Sequence, residues 1–385
     1  MKNASYVKSC SGFSLIDIMV GMVVGLLTML AIMQSYAAFE GQKRTTTTGM
    51  EAQENGLMAL HAMETDIRQA GYGLTVSGAL ACTGINTYIN GVTTLNSLFV
   101  PIQITNGGAG SSDTLTATYS TSATGGVPAN IVTQMPNSAA LLTVNTGNGF
   151  NVGDMLLIST PGTGLPCAQL AVTGIQTQAN GVNLISNSGL SIYNPPGGQN
   201  IFPPAGYGTT PQSVVFNMGT MVQNQYQVLC SSLTATNLAI SAPGSCTPGP
   251  AVFTNATPLA SNIINIQAQY GIAPTGTQSV NCWVNATTGN ACDGSDWTAA
   301  GLTATPANVA RIKAIRVAVV ARSSLMERAD LATNICTATP SITAANYPTW
   351  DGGTIDVTAD PNWRCYRYKV YQTIIPMRNI LWANL

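Results

Sequence analysis

From Phe13 to Phe39 the chain carries one charged residue, Asp17, in a run otherwise made of apolar, small and uncharged polar residues. At about 1.5 Å of rise per residue, that run is long enough to cross a bilayer as a helix. A charge inside a membrane span costs several kcal/mol unless it is paired or functional, so Asp17 requires an explanation. Residues 1–12 are polar and carry Lys2 and Lys8, which places the amino end on the cytoplasmic side and the rest outside. An ordinary secretory signal has a shorter apolar core followed by its cleavage site. Here the polar leader ends at Gly12, before the apolar run, so cleavage there leaves the anchor on the mature chain.

Helical spacing continues past the apolar run. After Glu40-Gly41-Gln42-Lys43-Arg44, a stripe formed by Met50, Leu57, Leu60, Met63 and Ile67 is flanked by Glu51, Glu54, Glu64 and Asp66. Gly71-Tyr72-Gly73 is expected to end the helix, as glycine commonly does. A continuous helix over 13–70 would be about 87 Å long. Thr45 to Gly49 is its weakest portion. The chain thus divides into a leader (1–12), an apolar half-helix (13–39), an amphipathic half-helix (40–70) and a head (71–385).

The head reads as β-rich. Short runs such as Thr114–Tyr119, Ala140–Val144 and Met155–Ile158 are separated by Gly, Pro, Asn and Ser, and the strongest strands are Arg311–Arg322 and Arg364–Ile375. The fold class expected is therefore α+β. Charge is scarce and uneven: from Gln69 to Ala310 there is no Lys or Arg, and the acids are Asp113, Asp154, Asp293 and Asp296. This block, about 75–305, reads as a neutral, exposed insertion. A net charge of −1 argues against a nucleic-acid partner, because neutralising phosphates needs a basic surface. Eight cysteines follow the apolar run: Cys82, Cys167, Cys230, Cys246, Cys282, Cys292, Cys336 and Cys365. An even number in an exported chain points to disulfides. The near pairs Cys230–Cys246 and Cys282–Cys292 are expected to close local loops, leaving Cys82, Cys167, Cys336 and Cys365 to pair among themselves.

Three stretches carry a family resemblance: Gly12-Phe13-Ser14-Leu15-Ile16-Asp17; Gln53-Glu54-Asn55-Gly56-Leu57 through Asp66 to Tyr72; and Ala314–Val319 with Tyr368–Tyr371 and Pro376–Asn379. Through them the chain resembles type IV prepilins, specifically minor pilins of the PilW-like group. The resemblance implies that a prepilin peptidase cuts between Gly12 and Phe13 and methylates the amino group of Phe13. It also implies that Asp17, at the fifth mature position where the family usually has Glu, pairs with the terminus of a neighbouring subunit in the filament. Asp keeps the charge on a side chain one methylene shorter. Such proteins sit in the inner membrane with a single span, then join the extracellular pilus. Their partners are major and other minor pilins, with a tip adhesin as a further candidate, and they help to prime assembly.

Other readings are set beside this one. The neutral block is larger than an assembly contact needs and suits an adhesive or ligand-binding tip module, and a pseudopilin of a type II secretion system shares the same amino-terminal signal. Gly21 and Gly25 form a GxxxG that either allows close helix contact or is incidental. The basic residues Arg311, Lys313, Arg316, Arg367 and Lys369 either pair with Glu51, Glu54, Glu64 and Asp66 or are solvated separately. His61, the sole histidine, suits a structural role. Asp351, Asp356 and Asp360 suit a polar turn better than a calcium loop, their spacing not being that of an EF-hand. No nucleophile elbow, Walker loop or paired carboxylates appear, so neither an enzyme nor a cofactor or metal is expected.

Overall fold

The computed structural model describes residues 14–76, 79–82, 84–108, 110–124, 127–136, 141–196, 201–330, 333–339 and 347–383. The chain divides into two units, Met1–Glu51 and Ala52–Leu385. Gly12 and Phe13 lie outside the described residues.

The first unit is helical. The amino-terminal helix runs over Leu15–Gln69, and its part within this unit is helical through Thr45–Gly49, where loosening was expected. Threonine hydroxyls bond back onto the helix there: Thr45 Oγ1 donates to the Gly41 carbonyl at 3.1 Å and Thr48 Oγ1 to that of Thr45 at 3.3 Å. These bonds satisfy the hydroxyls within the helix instead of opening it. Leu15 to Phe39 are exposed all round, as suits a helix built for lipid or for other helices.

The second unit begins with the rest of the helix, Ala52 to Gln69. Gly71, at φ +85°, ends it in the left-handed conformation, and its N–H donates to the Thr118 carbonyl at 2.9 Å. The buried residues on this half are Ala52, Gly56, Ala59, Leu60, Met63, Asp66, Ile67 and Ala70. Met50 and Leu57, expected in the buried stripe, are instead 66% and 51% exposed. A seam of small residues lets this half of the helix lie close on the head, which turns the longer side chain at 57 outward. A Cβ on Gly56 would stand 2.3 Å from Cδ2 of Tyr371, so only glycine admits this approach.

Three sheets make up most of the head. A six-stranded sheet has the spatial order Val92–Leu98, Gly84–Ile89, Cys167–Ala171, Met155–Ser159, Val214–Gly219, Ala129–Asn130. A five-stranded sheet has the order Thr257–Ser261, Ser232–Asn237, Val222–Leu229, Thr114–Tyr119, Ile102–Thr105. A four-stranded sheet runs Cys282–Val284, Ile263–Ile272, Ile312–Arg322, Tyr368–Pro376. The helix residues Ala59, Met63, Ile67 and Ala70 share one core with Leu115 and Leu233 of the five-stranded sheet and with Tyr270, Ile315 and Val317 of the four-stranded sheet. The architecture is thus α+β.

Ile312–Arg322 is buried on both faces, as its run of Ile, Val and Ala allows for a central strand. Its edge neighbour starts at Tyr368, not Arg364, because Trp363–Cys365 forms a short helical turn next to the Cys336–Cys365 bridge. Pro376 closes that edge strand, a position where a missing N–H is tolerated. Parts of the charge-poor block join the rest of the head. Within it, Ile263–Ile272 pairs with Ile312–Arg322 beyond it, and Tyr226 and Leu233 join the core that holds the helix. The eight cysteines pair as Cys82–Cys167, Cys230–Cys246, Cys282–Cys292 and Cys336–Cys365.

Candidate functional site

The first turn of the helix is built by Ser14 and Asp17. Ser14 Oγ accepts from the Ile16 N–H at 3.4 Å, and Asp17 Oδ2 accepts from the Ser14 N–H at 3.3 Å. This is a reciprocal capping arrangement, and the carboxylate also lies favourably at the positive end of the helix dipole. Its local signal is the Ser-x-x-Asp pattern over 14–17. Beyond it, Thr28 Oγ1 donates to the carbonyls of Val24 and Gly25 at 3.0 and 2.9 Å, so this hydroxyl needs no water. A Cβ built on Gly21 or Gly25 meets nothing within 4 Å, which leaves both glycines open to a neighbouring helix. Together these features make a helix that can sit in an apolar medium with its polar groups satisfied at the start.

The second constellation joins the helix to the head. Asp66, 8% exposed, accepts from Tyr226 Oη at 2.7 Å, from Asn224 Nδ2 at 2.6 Å and from Tyr119 Oη at 3.0 Å. Burial, followed by the charge of Asp66 and its hydrogen bonds, raises both phenols well above their ordinary value. Asp66 therefore belongs to the buried seam and does not flank it. A 4-3-4-3-4 spacing through Ala52, Gly56, Ala59, Met63, Asp66 and Ala70 was visible in the sequence. The acid at 66 can occupy a buried position of that seam because three donors from the head satisfy it.

Three arginines of the basic carboxyl-terminal segment pair with acids of the head. Arg311 pairs with Asp293 at 2.5 Å, Arg322 with Asp360 at 2.5 Å, and Arg367 with Glu327, while Glu64 pairs with Arg68 one turn along the helix. Burial opposes the ionised form of Asp293. Bonds from Asn290, from the Ser295 backbone and from Arg311 outweigh it and hold the carboxyl below the usual range. Arg316 lies between the rings of Trp283 and Trp350, at 4.8 and 5.2 Å from their centroids, and bonds Gln269. His61 is exposed. Asp356 and Asp360 each accept a backbone N–H two residues on, as turn residues do. Among the described residues no three His, Cys, Asp or Glu gather as metal ligands.

An apolar, capped helix long and apolar enough to cross a membrane, a candidate anchor, is followed by a β-rich head held by four disulfides. In comparison with known families, the model described as Type IV Pilus-assembly protein W matches residues 217–379, from within the strand Val214–Gly219 of the six-stranded sheet to just past the last strand, Tyr368–Pro376. The match supports a place among PilW-like pilus-assembly proteins and a role in type IV pilus assembly. It also takes in residues 217–305 of the charge-poor block. No curated protein and no solved structure matches the chain.

Proposed function

We propose that this chain is a minor pilin: a prepilin cut between Gly12 and Phe13, methylated at Phe13, and built into a type IV pilus at or near its tip, where it primes assembly. Its role is structural and not enzymatic. The observation that carries this reading is the wholly exposed apolar helix from Leu15 to Phe39, which follows the leader motif in a chain whose carboxyl part matches the pilus-assembly family. In the inner membrane that surface faces lipid; in a filament it faces the same helix of other pilins. Asp17 already caps Ser14, so the first turn is ordered to receive a neighbour's charged terminus without losing its own hydrogen bond. The family match favours a pilus over a secretion pseudopilus.

The test is mass spectrometry of the chain's amino terminus from sheared surface filaments. The expected first residue is methylated Phe13. A chain found only in membranes, with Met1 retained, overturns the proposal.

A further inference from the structure

The charge-poor half of the head contains a cleft of about 880 Å³ between the six-stranded sheet and the five-stranded sheet, within the range of about 300–1,000 Å³ typical of ligand sites. Its floor is one side-chain face of the hairpin Gly84–Leu98, where Ile85 lies opposite Ser97, Thr87 opposite Thr94, and Ile89 opposite Val92. Gln103 and Gln223 come from the five-stranded sheet, and Met221 and Pro243 add apolar surface. None of the residues lining the cleft is charged.

Gln169 also lines this cleft, from the strand Cys167–Ala171, and it is 2% exposed. Among the described residues, neither its Oε1 nor its Nε2 has a hydrogen-bond partner. A buried amide is normally satisfied, because leaving both ends unmade costs stability that nothing in the free fold returns. Here the unpartnered amide stands at the wall of a cavity. The strand that bears it is held to the cleft floor by the Cys82–Cys167 bridge and by pairing of Cys167 with Ile85. This fixes Gln169 relative to the hairpin.

From this geometry we infer that the cleft binds a neutral saccharide, with Gln169 as its central hydrogen-bonding residue. Carboxamides offer a donor and an acceptor side by side, which matches adjacent hydroxyl groups. Thr87, Thr94 and Ser97 add hydroxyls, while Ile85 and Met221 present apolar surface to the C–H face of a sugar. The uncharged lining excludes phosphate, carboxylate and cationic ligands as the preferred class. A peptide added as a strand would use the main chain of a sheet edge, whereas this cleft presents side chains from both walls. The proposal is independent of processing at Phe13 and of filament assembly.

The test uses the oxidised full chain in detergent micelles on an array of neutral hexose and N-acetylhexosamine oligosaccharides of two to six units, with sulfated oligosaccharides and unmodified peptides printed alongside. The expected result is retention of neutral saccharides. Gln169→Met, nearly isosteric, should weaken it at least about tenfold while leaving the thermal midpoint unchanged or raised, because it removes a buried group that has no partner. A merely structural glutamine would instead lower the midpoint and leave retention intact. Gln223→Leu, on the opposite wall, gives an independent loss. Absence of neutral-saccharide retention, retention indifferent to both substitutions, or preference for the sulfated or peptide spots overturns the proposal.

Discussion

Replacing Asp66 by alanine should unfasten the helix from the head. The substitution takes the acceptor from Asn224 Nδ2 and Tyr119 Oη and leaves Tyr226 Oη with only its longer bond, 3.3 Å, to the Ala62 carbonyl. The two tyrosines are only 3% and 8% exposed, so water reaches them poorly in place of the carboxylate. An orphaned buried donor costs about 1–3 kcal/mol. The methyl group's smaller volume admits some water, and the desolvation cost of Asp66 is relieved, so a net loss of about 3 kcal/mol is expected. Asp66→Asn keeps the shape and one acceptor oxygen but turns an amide donor toward other donors, for about half that loss. Urea unfolding of the oxidised chain, followed by circular dichroism, measures both. The decisive measurement is the cycle with Tyr226→Phe: residues sharing one hydrogen bond should couple by about 1–2 kcal/mol. An alanine variant within about 0.5 kcal/mol of the parent, or strict additivity in the cycle, would refute the reasoning.

Gly56→Ala should destabilise despite the gain of about 1 kcal/mol in helix propensity, because the new methyl group meets the Tyr371 ring. Adding Tyr371→Ala should recover the propensity gain, as read by the urea midpoint. Removing the Cys82–Cys167 bridge, which closes a loop of 85 residues, with paired alanines should cost about 4 kcal/mol in denaturant unfolding. Alkaline titration offers a further check. Tyr119, Tyr226 and Tyr270 keep their protons in the fold above the ordinary phenol value of 10.0, through burial first. The unfolded chain then binds fewer protons, so stability must fall as pH rises above that value, and Tyr226→Phe must make the fall shallower.

Local signals along the chain determine several elements. The apolar run and the helical period give the helix, Gly71 its end, and the β-branched content of Thr114–Tyr119 and Ile312–Arg322 two of the strands at nearly their observed bounds. Composition was enough to expect disulfides. The close spacing of Cys230 with Cys246 and of Cys282 with Cys292 matches the bridges present in the fold. Propensity and periodicity reside within a few residues of one another, which is why they can be read along the chain.

Tertiary structure decided which face of the helix is buried and what its acid does. Leu57 looks like core in the sequence, and Asp66 looks like surface. The fold reverses both, because the donors that satisfy Asp66 come from 53 to 160 residues away and the small seam residues allow the close approach. The same holds for the basic strands, whose arginines take acids and aromatic rings that the head brings to them. It holds again for Gln169, one glutamine among many in the sequence, which only the meeting of two sheets leaves buried, unpartnered and facing a cleft. Hydrogen bonds and burial are settled by distance in space, and that distance is not written in the local sequence.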